Sequence, residues 1–116
     1  MIFLKGMDMD ESEFEQLAAQ ELLRIESALE RCDADIDYAR RGDSVLEISC
    51  DHDGSQIVVN IHRAMQEVWV AARSGGYHFR WQQGQWFSGR EGSELYALLS
   101  SALSEQCRQP VVLKPL

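Results

Sequence analysis

The stretch GSQIVVNIHRAMQEVWVAARSGGYHFRW, residues 54–81, indicates an antiparallel β-sheet. Two β-rich runs, at 56–61 and 67–72, precede a turn at 74–76, and a third run follows at 77–81. Short strands joined by tight turns are typical of antiparallel sheets. The middle of the chain therefore predicts consecutive strands that pair with one another.

Strand signals continue on both sides of this stretch. Upstream, the run at 36–39 leads through a turn into the run at 45–49, and Asp53-Gly54 between apolar runs is a strong hairpin signal. Downstream, a turn at Gln83-Gly84 leads into a short run at 86–87. We therefore expect a sheet of five to six strands.

An amphipathic helix is predicted before the sheet, over about 10–32. Asp10 followed by Glu13 is a plausible capping box, and Ser12 followed by Glu15 is an alternative. Apolar residues recur at spacings of three and four, as one buried face of a helix requires. These residues are Phe14, Leu17, Ala18, Leu22, Ile25, Leu29 and Cys32.

A second helix is predicted after the sheet, with Ser93 as its N-cap and Pro110 as its stop signal. Its buried stripe is expected to contain Leu95, Leu98, Leu99, Ala102 and Leu103. Two amphipathic helices that flank an antiparallel sheet predict an α+β two-layer sandwich with both helices packed on one sheet face. The other sheet face is then expected to be exposed to solvent. Glu21 falls on the apolar face of the first helix, and we interpret it as an edge position.

The chain length of 116 residues is that of one ordinary domain. We expect residues 9–116 to form this domain and residues 1–8 to be a flexible N-terminal extension. Apolar stretches are only a few residues long, so no membrane span is expected. The run at 1–4 is too short for a signal-peptide core, which favours a cytoplasmic location.

The negative charge is concentrated in the first third of the chain. The formal net charge is −8, and residues 8–37 hold eleven acids but only two bases. A polyanion would be repelled by this segment, so direct nucleic-acid binding is not expected. Metal cations or a basic protein surface are the natural partners.

Carboxylates line one edge of the first predicted helix. At about 100° per residue, Glu15, Glu26, Glu30 and Asp33 fall within a narrow arc that contains no basic residue. Asp35 and Asp37 extend the line into the first strand. Hard cations such as Fe²⁺ or Mg²⁺ prefer carboxylate oxygens, so such a line predicts weak binding of several ions. The alternative is a solvated helix face that keeps the protein in solution.

The open sheet face is the second candidate surface. Side chains alternate along a strand, so Val68 and Val70 pointing inward force Trp69 outward. An exposed Trp among Asn and Arg is a typical composition for a protein-binding hot spot. The predicted outer-face residues are Asn60, Trp69, Arg73, His78 and Arg80. A strand shifted by one residue would bury Trp69 instead.

Catalytic and redox motifs are weakly supported. Cys32, Cys50 and Cys107 show no CxxC spacing, which favours reduced thiols that pack as small apolar side chains. The histidines have no neighbouring nucleophile, and the sequence contains neither GxSxG nor a P-loop. An iron-oxidising enzyme would need an enclosed site of the di-iron kind, and the ExxH pair of such sites is missing. We therefore expect a protein that is not an enzyme.

Taken together, these segments resemble the frataxin family, in particular its bacterial members. The resemblance runs in order from about residue 9 to 113. It rests on the segments Ser12-Glu13-Phe14, Asp35-Ile36-Asp37, 45–48, 54–60, 67–71 and 75–79, and on Trp86, Arg90 and Gly92. Glu67 departs from the family pattern, which usually has Gln there.

The resemblance implies the same sandwich fold and a regulatory, iron-binding accessory protein of iron–sulfur cluster assembly. In this family the acidic helix and following strand bind Fe²⁺ and Fe³⁺ and dock on a cysteine desulfurase. The sheet face with its Trp approaches the desulfurase and the cluster scaffold protein. The metal candidates carried over are Glu26, Glu30, Asp33, Asp35 and Asp37, and the sheet-face candidates are Asn60 and Trp69.

We expect a monomer that can form iron-dependent oligomers, and weak iron sites, because this chain has fewer acids than other members. The main rival is an acidic interaction module that docks on a basic partner, with iron binding incidental.

Overall fold

The computed structural model describes residues 9–115 and shows two helices packed on an antiparallel sheet. The predicted flexible extension at 1–8 lies outside the described residues. Helix α1 spans Glu11–Glu30 and helix α2 spans Leu95–Cys107. The strands between them are β1 (Ile36–Arg41), β2 (Val45–Cys50), β3 (Gln56–His62), β4 (Glu67–Ala72), β5 (Gly75–Gln82), β6 (Gln85–Ser88) and β7 (Ser93–Glu94).

The seven strands pair in chain order, each antiparallel to the next. The α+β two-layer sandwich is therefore confirmed, with seven strands instead of the expected five to six. Among residues 9–115, strand β1 is an edge strand that pairs with β2 alone. Within residues 9–115 neither helix is long and apolar enough to cross a bilayer.

The N-terminal capping box of α1 is confirmed. The Asp10 carboxylate accepts a hydrogen bond from the Glu13 amide at 2.8 Å, and the Glu13 carboxylate accepts one from the Asp10 amide at 3.1 Å. The helix ends at Glu30, two residues earlier than predicted. Asp33 consequently lies in the loop before β1 rather than on the acidic helix edge.

The core lies between the helices and one face of the sheet. Ile57 and Val59 on β3, and Val68 and Val70 on β4, are buried on this face. The helices contribute Phe14, Ala18, Leu22, Ile25, Leu29, Leu95, Leu99 and Leu103. The predicted strand phase is therefore confirmed, and it leaves Trp69 on the opposite face of the sheet.

The start of α2 differs from the prediction. Glu94, not Ser93, is the N-cap, and its carboxylate accepts hydrogen bonds from the amides of Tyr96 and Ala97 at 2.9 and 3.2 Å. Ser93 and Glu94 pair with β6 and form the extra strand β7. A glutamate at the N-cap also places a negative charge against the positive end of the helix dipole.

The expectation of three reduced thiols is wrong for two of them. Cys50 at the end of β2 and Cys107 at the end of α2 form a disulfide with a Cα–Cα distance of 5.1 Å. Both are buried, as expected of small apolar side chains. Only Cys32 is free among the described cysteines, and it is partly buried. The two bonded cysteines are 57 residues apart, so no local spacing could indicate the pairing.

Glu21 is not an edge position but a buried charge between the helices, with 3% exposure. Its carboxylate accepts a hydrogen bond from the Tyr96 hydroxyl of α2 and lies 3.2 Å from Nη1 of Arg24. Burial, and then the hydrogen bond and charge of Glu21, raise the pKa of Tyr96 well above its usual value. This contact joins α1 to α2 across 75 residues of sequence.

We expect Tyr96→Phe to lower the free energy of unfolding by about 1–3 kcal/mol, because a buried Glu21 oxygen loses its donor. The raised pKa means that this stabilisation is present below pH ~10 and declines as the pH rises further. Urea denaturation at about pH 7 and about pH 11 measures both effects. Tyr77→Phe is the control, since the Tyr77 hydroxyl forms an exposed hydrogen bond with Ser74. Equal losses in the two variants would contradict the assignment.

Candidate functional site

The first candidate surface consists of the five predicted metal ligands and is called the acidic ridge: Glu26, Glu30, Asp33, Asp35 and Asp37. Glu26 and Glu30 lie in the last turns of α1, Asp33 and Asp35 lie in the α1–β1 loop, and Asp37 lies at the start of β1. The ridge therefore runs along one edge of the sheet, from the end of α1 through the connecting loop to the start of β1. Asp33 and Asp35 are exposed, and within residues 9–115 their carboxylates have no hydrogen bond or ion pair.

The helical part of the ridge is partly neutralised from the neighbouring strand. Nε of Arg40 on β1 lies 3.3 Å from the Glu26 carboxylate. The Tyr38 hydroxyl donates a hydrogen bond to Glu30. This bond, followed by partial burial and the surrounding carboxylates, raises the pKa of Tyr38 to about 12. The helix arc itself contains no basic residue, but Arg40 from another element offsets the charge of Glu26.

Asp37 lies on the other side of the edge strand from Glu30. Tyr38 and Arg40 face α1, and alternation along β1 turns Asp37 to the opposite, open face of the sheet. The Asp37 carboxylate accepts a hydrogen bond from the Tyr38 amide at 3.0 Å. In the described part of the chain, no three ridge carboxylates approach within 4.8 Å of one another. The ridge is thus an open electrostatic surface rather than a preformed chelate.

The second candidate surface lies on the open face of β3, β4 and β5 and is called the Trp69 cluster: His62, Glu67, Trp69, His78 and Arg80. The Trp69 indole lies between two imidazoles. Its ring centroid is 3.9 Å from that of His62 and 4.2 Å from that of His78, with interplanar angles of 14° and 5°. Trp69 is therefore half-buried in a stack rather than fully exposed as predicted.

A buried carboxylate holds the Trp69 cluster together. Glu67 is only 6% exposed and accepts hydrogen bonds from Nε1 of Trp69 at 2.7 Å and from Nε of Arg80 at 2.9 Å. Nδ1 of His78 lies 3.6 Å from the same carboxylate. Burial opposes ionisation of Glu67, but these hydrogen bonds and positive charges outweigh it and lower its pKa. An ionised Glu67 therefore orients the indole and the guanidinium.

The structure brings together most of the predicted sheet-face residues. Asn60 is the register partner of Trp69, and Trp69 is the partner of His78, while Arg80 joins through Glu67. Arg73 is separate: it lies in the β4–β5 turn, and its Nη2 is 3.3 Å from the Asp53 carboxylate.

Sequence reasoning missed His62 and Glu67 as members of this surface. Each lies two residues from a predicted member of the same strand, His62 from Asn60 and Glu67 from Trp69. The alternation that turned Trp69 outward therefore also placed these two side chains on the open face.

Comparisons with known proteins agree with this architecture. A family model described as a frataxin-like domain matches residues 7–109. The "Iron-sulfur cluster assembly protein CyaY" of Dechloromonas aromatica is 48% identical over 106 residues, which are 91% of this chain and all of the relative. The protein of the same name from Vibrio cholerae is 42% identical over 103 residues, covering 89% of this chain and 97% of the relative.

Among solved structures, the frataxin from Psychromonas ingrahamii, described as a model for stability modulation within the CyaY protein family, superposes with a TM-score of 0.82. It is 32% identical in sequence, and the match covers 91% of this chain and 99% of that one. With the family model and the relatives in agreement, this chain belongs to the frataxin family.

Proposed function

We propose that this protein is an iron-binding accessory protein that regulates iron–sulfur cluster assembly and is not itself an enzyme. The observation that carries the proposal is the nearly end-to-end similarity to proteins named for iron–sulfur cluster assembly. Its two surfaces supply distinct functions: the acidic ridge binds Fe²⁺ and Fe³⁺, and the Trp69 cluster contacts protein partners. We place the protein in the cytoplasm, as a monomer that forms oligomers only with iron.

The donor chemistry of the acidic ridge fits iron. Carboxylate oxygens are ligands that hard cations prefer, and the first third of the chain carries the whole excess of negative charge. The accessible carboxylates of Asp33 and Asp35 are the first binding groups. Glu26 and Glu30 contribute less, because a cation there must compete with Arg40 and Tyr38. Dispersed single carboxylates support weak binding of more than one ion.

The partner surfaces follow from charge and packing. The ridge docks on a basic patch of a cysteine desulfurase, where long-range attraction speeds association. The Trp69 cluster offers an aromatic ring flanked by Arg80 and Asn60, a composition enriched in binding hot spots. It contacts the desulfurase and the scaffold protein on which the cluster is built.

A second candidate function is an acidic interaction module in which iron binding is incidental. The ion pair between Glu26 and Arg40 and the hydrogen bond between Glu30 and Tyr38 favour the interaction module. A metal ion would have to displace both contacts, whereas a protein-binding surface tolerates them. Reversing the charges of Glu26, Glu30 and Asp33 distinguishes the two. Loss of desulfurase binding with an unchanged iron titration would favour the interaction module.

We expect anaerobic titration with Fe²⁺ to broaden ¹H–¹⁵N NMR signals mainly around Glu30 to Asp37, because paramagnetic broadening falls steeply with distance. The triple variant Asp33→Asn/Asp35→Asn/Asp37→Asn is expected to lose this broadening at equal iron. A matched variant with the same change in net charge, Asp43→Asn/Glu91→Gln/Glu105→Gln, is expected to keep it. Equal broadening in both variants would contradict iron binding on the ridge.

We expect Trp69→Ala to weaken binding to the purified cysteine desulfurase by roughly tenfold or more. The same change removes two ring stacks and the Nε1 donor of Glu67, so we also expect a loss of about 1–3 kcal/mol of stability. Isothermal titration calorimetry measures the affinity, and circular dichroism verifies the fold. Gln82→Ala, an exposed position farther along β5, is the matched control. A folded Trp69→Ala variant with unchanged affinity would exclude this surface.

Because the pKa of Glu67 is lowered in the folded protein, we expect part of the loss of folding stability in acid to come from this residue. Its lowered pKa stabilises the fold above the unfolded-state pKa of about 4.3, and this contribution disappears as the pH falls through the folded-state pKa. We therefore expect Glu67→Gln to lose less stability than the unmodified protein between about pH 7 and pH 3. Urea denaturation measures the difference. Glu47→Gln, which removes an exposed ion pair with Arg41, is the control.

A further inference from the structure

A second set of side chains with metal-ligand chemistry lies next to the Asp35 end of the acidic ridge, where the turn between β2 and β3 meets the end of α2. One ligand atom each from Cys50, His52 and Asp53 lies within 4.8 Å of the others. Cys107 is bonded to Cys50, so a second sulfur lies next to these three donors. Neither the acidic ridge nor the Trp69 cluster contains any of these four residues.

We propose that reduction of the Cys50–Cys107 disulfide opens a binding site for one zinc-class divalent cation, held by Cys50, Cys107, His52 and Asp53. This donor set of two thiolates, one imidazole and one carboxylate differs from the oxygen-only ridge. Thiolate and imidazole ligands select borderline-soft cations such as Zn²⁺, whereas carboxylates alone select hard ones.

The distances suit such a site. Zinc binds sulfur at about 2.3 Å and nitrogen or oxygen at about 2.0–2.2 Å, so tetrahedral ligands lie roughly 3.3–3.8 Å from one another. The donors of Cys50, His52 and Asp53 already lie within 4.8 Å of one another, and the Cys107 sulfur, which is bonded to Cys50, completes the set by moving toward them after reduction. Cleavage of the disulfide frees the two sulfurs to move apart to that separation.

Hydrogen bonds, in addition to the disulfide, join the turn to α2. Nε2 of His52 lies 3.0 Å from the Gln106 carbonyl oxygen, which places the imidazole against the end of α2. The Gln106 side-chain amide donates to the Gln56 carbonyl at 3.0 Å and to the Ser55 hydroxyl at 3.1 Å. The Gln106 side-chain oxygen also accepts from the Arg73 amide at 3.0 Å. These contacts keep the four ligands close after reduction.

Burial gives the site a dry interior and an open entrance. Cys50 and Cys107 are 1% and 2% exposed, whereas His52 and Asp53 lie at the surface. Cations would therefore enter from the turn. The Arg73 guanidinium, 3.3 Å from Asp53, competes with an incoming cation, but Arg73 is exposed and is free to turn into solvent.

The chemistry balances with a dithiol reductant as co-reactant. The reductant gives two electrons and two protons to the Cys50–Cys107 bond, which yields two thiols, and the reductant itself becomes a disulfide. Binding of the cation then displaces one proton from each thiol. Reducing compartments keep protein thiols in this reduced form, so the proposed cytoplasmic location favours the metal-binding state.

Cobalt absorption spectroscopy tests the proposal on the full chain carrying Cys32→Ser, which removes the remaining free thiol. Co²⁺ replaces Zn²⁺ in such sites, and thiolate ligands give it a near-ultraviolet charge-transfer band. We expect this band, together with strong visible absorption, after reduction and not in the disulfide form. Added Zn²⁺ should abolish both signals.

Variants assign the ligands. We expect the double variant Cys50→Ser/Cys107→Ser to abolish the charge-transfer band, each single variant to reduce it, and His52→Ala to weaken Co²⁺ binding roughly tenfold or more. Asp51→Asn, an exposed acid of the same turn, is the matched control and should bind normally. The ridge variant Asp33→Asn/Asp35→Asn/Asp37→Asn should also bind normally, which separates this site from the proposed iron function.

Three results would overturn the proposal. The disulfide of the folded protein could resist a dithiol reductant, as shown by thiol titration. The reduced chain could lose its near-ultraviolet circular dichroism even with Co²⁺ present, which would show that no folded site exists. Finally, a folded, reduced protein without the charge-transfer band, or with unchanged affinity in His52→Ala, would exclude these ligands.

Discussion

The two-residue alternation along β3 and β4 is the constraint on which both the fold and the Trp69 cluster depend. Val59 and Val70 point into the layer covered by the helices, so their neighbours Asn60 and Trp69 must point to the opposite face. A slip of one residue would exchange the two faces and place an indole in the core. Because both helices cover the same face, the open face carries the polar and aromatic side chains of the Trp69 cluster.

The acidic ridge and the Trp69 cluster differ in whether their charged side chains are paired. Within residues 9–115 the ridge leaves the carboxylates of Asp33 and Asp35 unpaired at the surface, so its negative potential reaches into solvent, where the proposed function requires attraction of cations or basic partners. The Trp69 cluster instead pairs its charges internally, because the Glu67 carboxylate accepts a hydrogen bond from the Arg80 guanidinium. The ridge is therefore suited to long-range attraction, and the cluster is suited to short-range recognition through shape and hydrogen bonds.

Local patterns made much of the structure predictable, whereas long-range pairings did not. The Asp10 capping box and the outward turn of Trp69 depend on neighbours within four residues, so spacing alone predicts them. The contact of Glu21 with Tyr96 and the disulfide span 75 and 57 residues. Only the folded chain brings such pairs together. The position of Glu67 is only partly predictable from local pattern. Alternation places it on the open face, but its burial depends on side chains from β5.

The two regions proposed to bind metals are chemically distinct but mechanically joined. The Asp35 carbonyl on the ridge accepts a hydrogen bond at 3.1 Å from the amide of Asp51, the residue after Cys50. The Asp35 amide donates to the Gln109 side chain at 3.2 Å, two residues beyond Cys107. Asp35 is therefore hydrogen-bonded to residues that lie just beyond both cysteines of the disulfide. Because Cys50 is also the register partner of Ile36, between Asp35 and Asp37, the ridge and the proposed thiol site share one corner of the sheet.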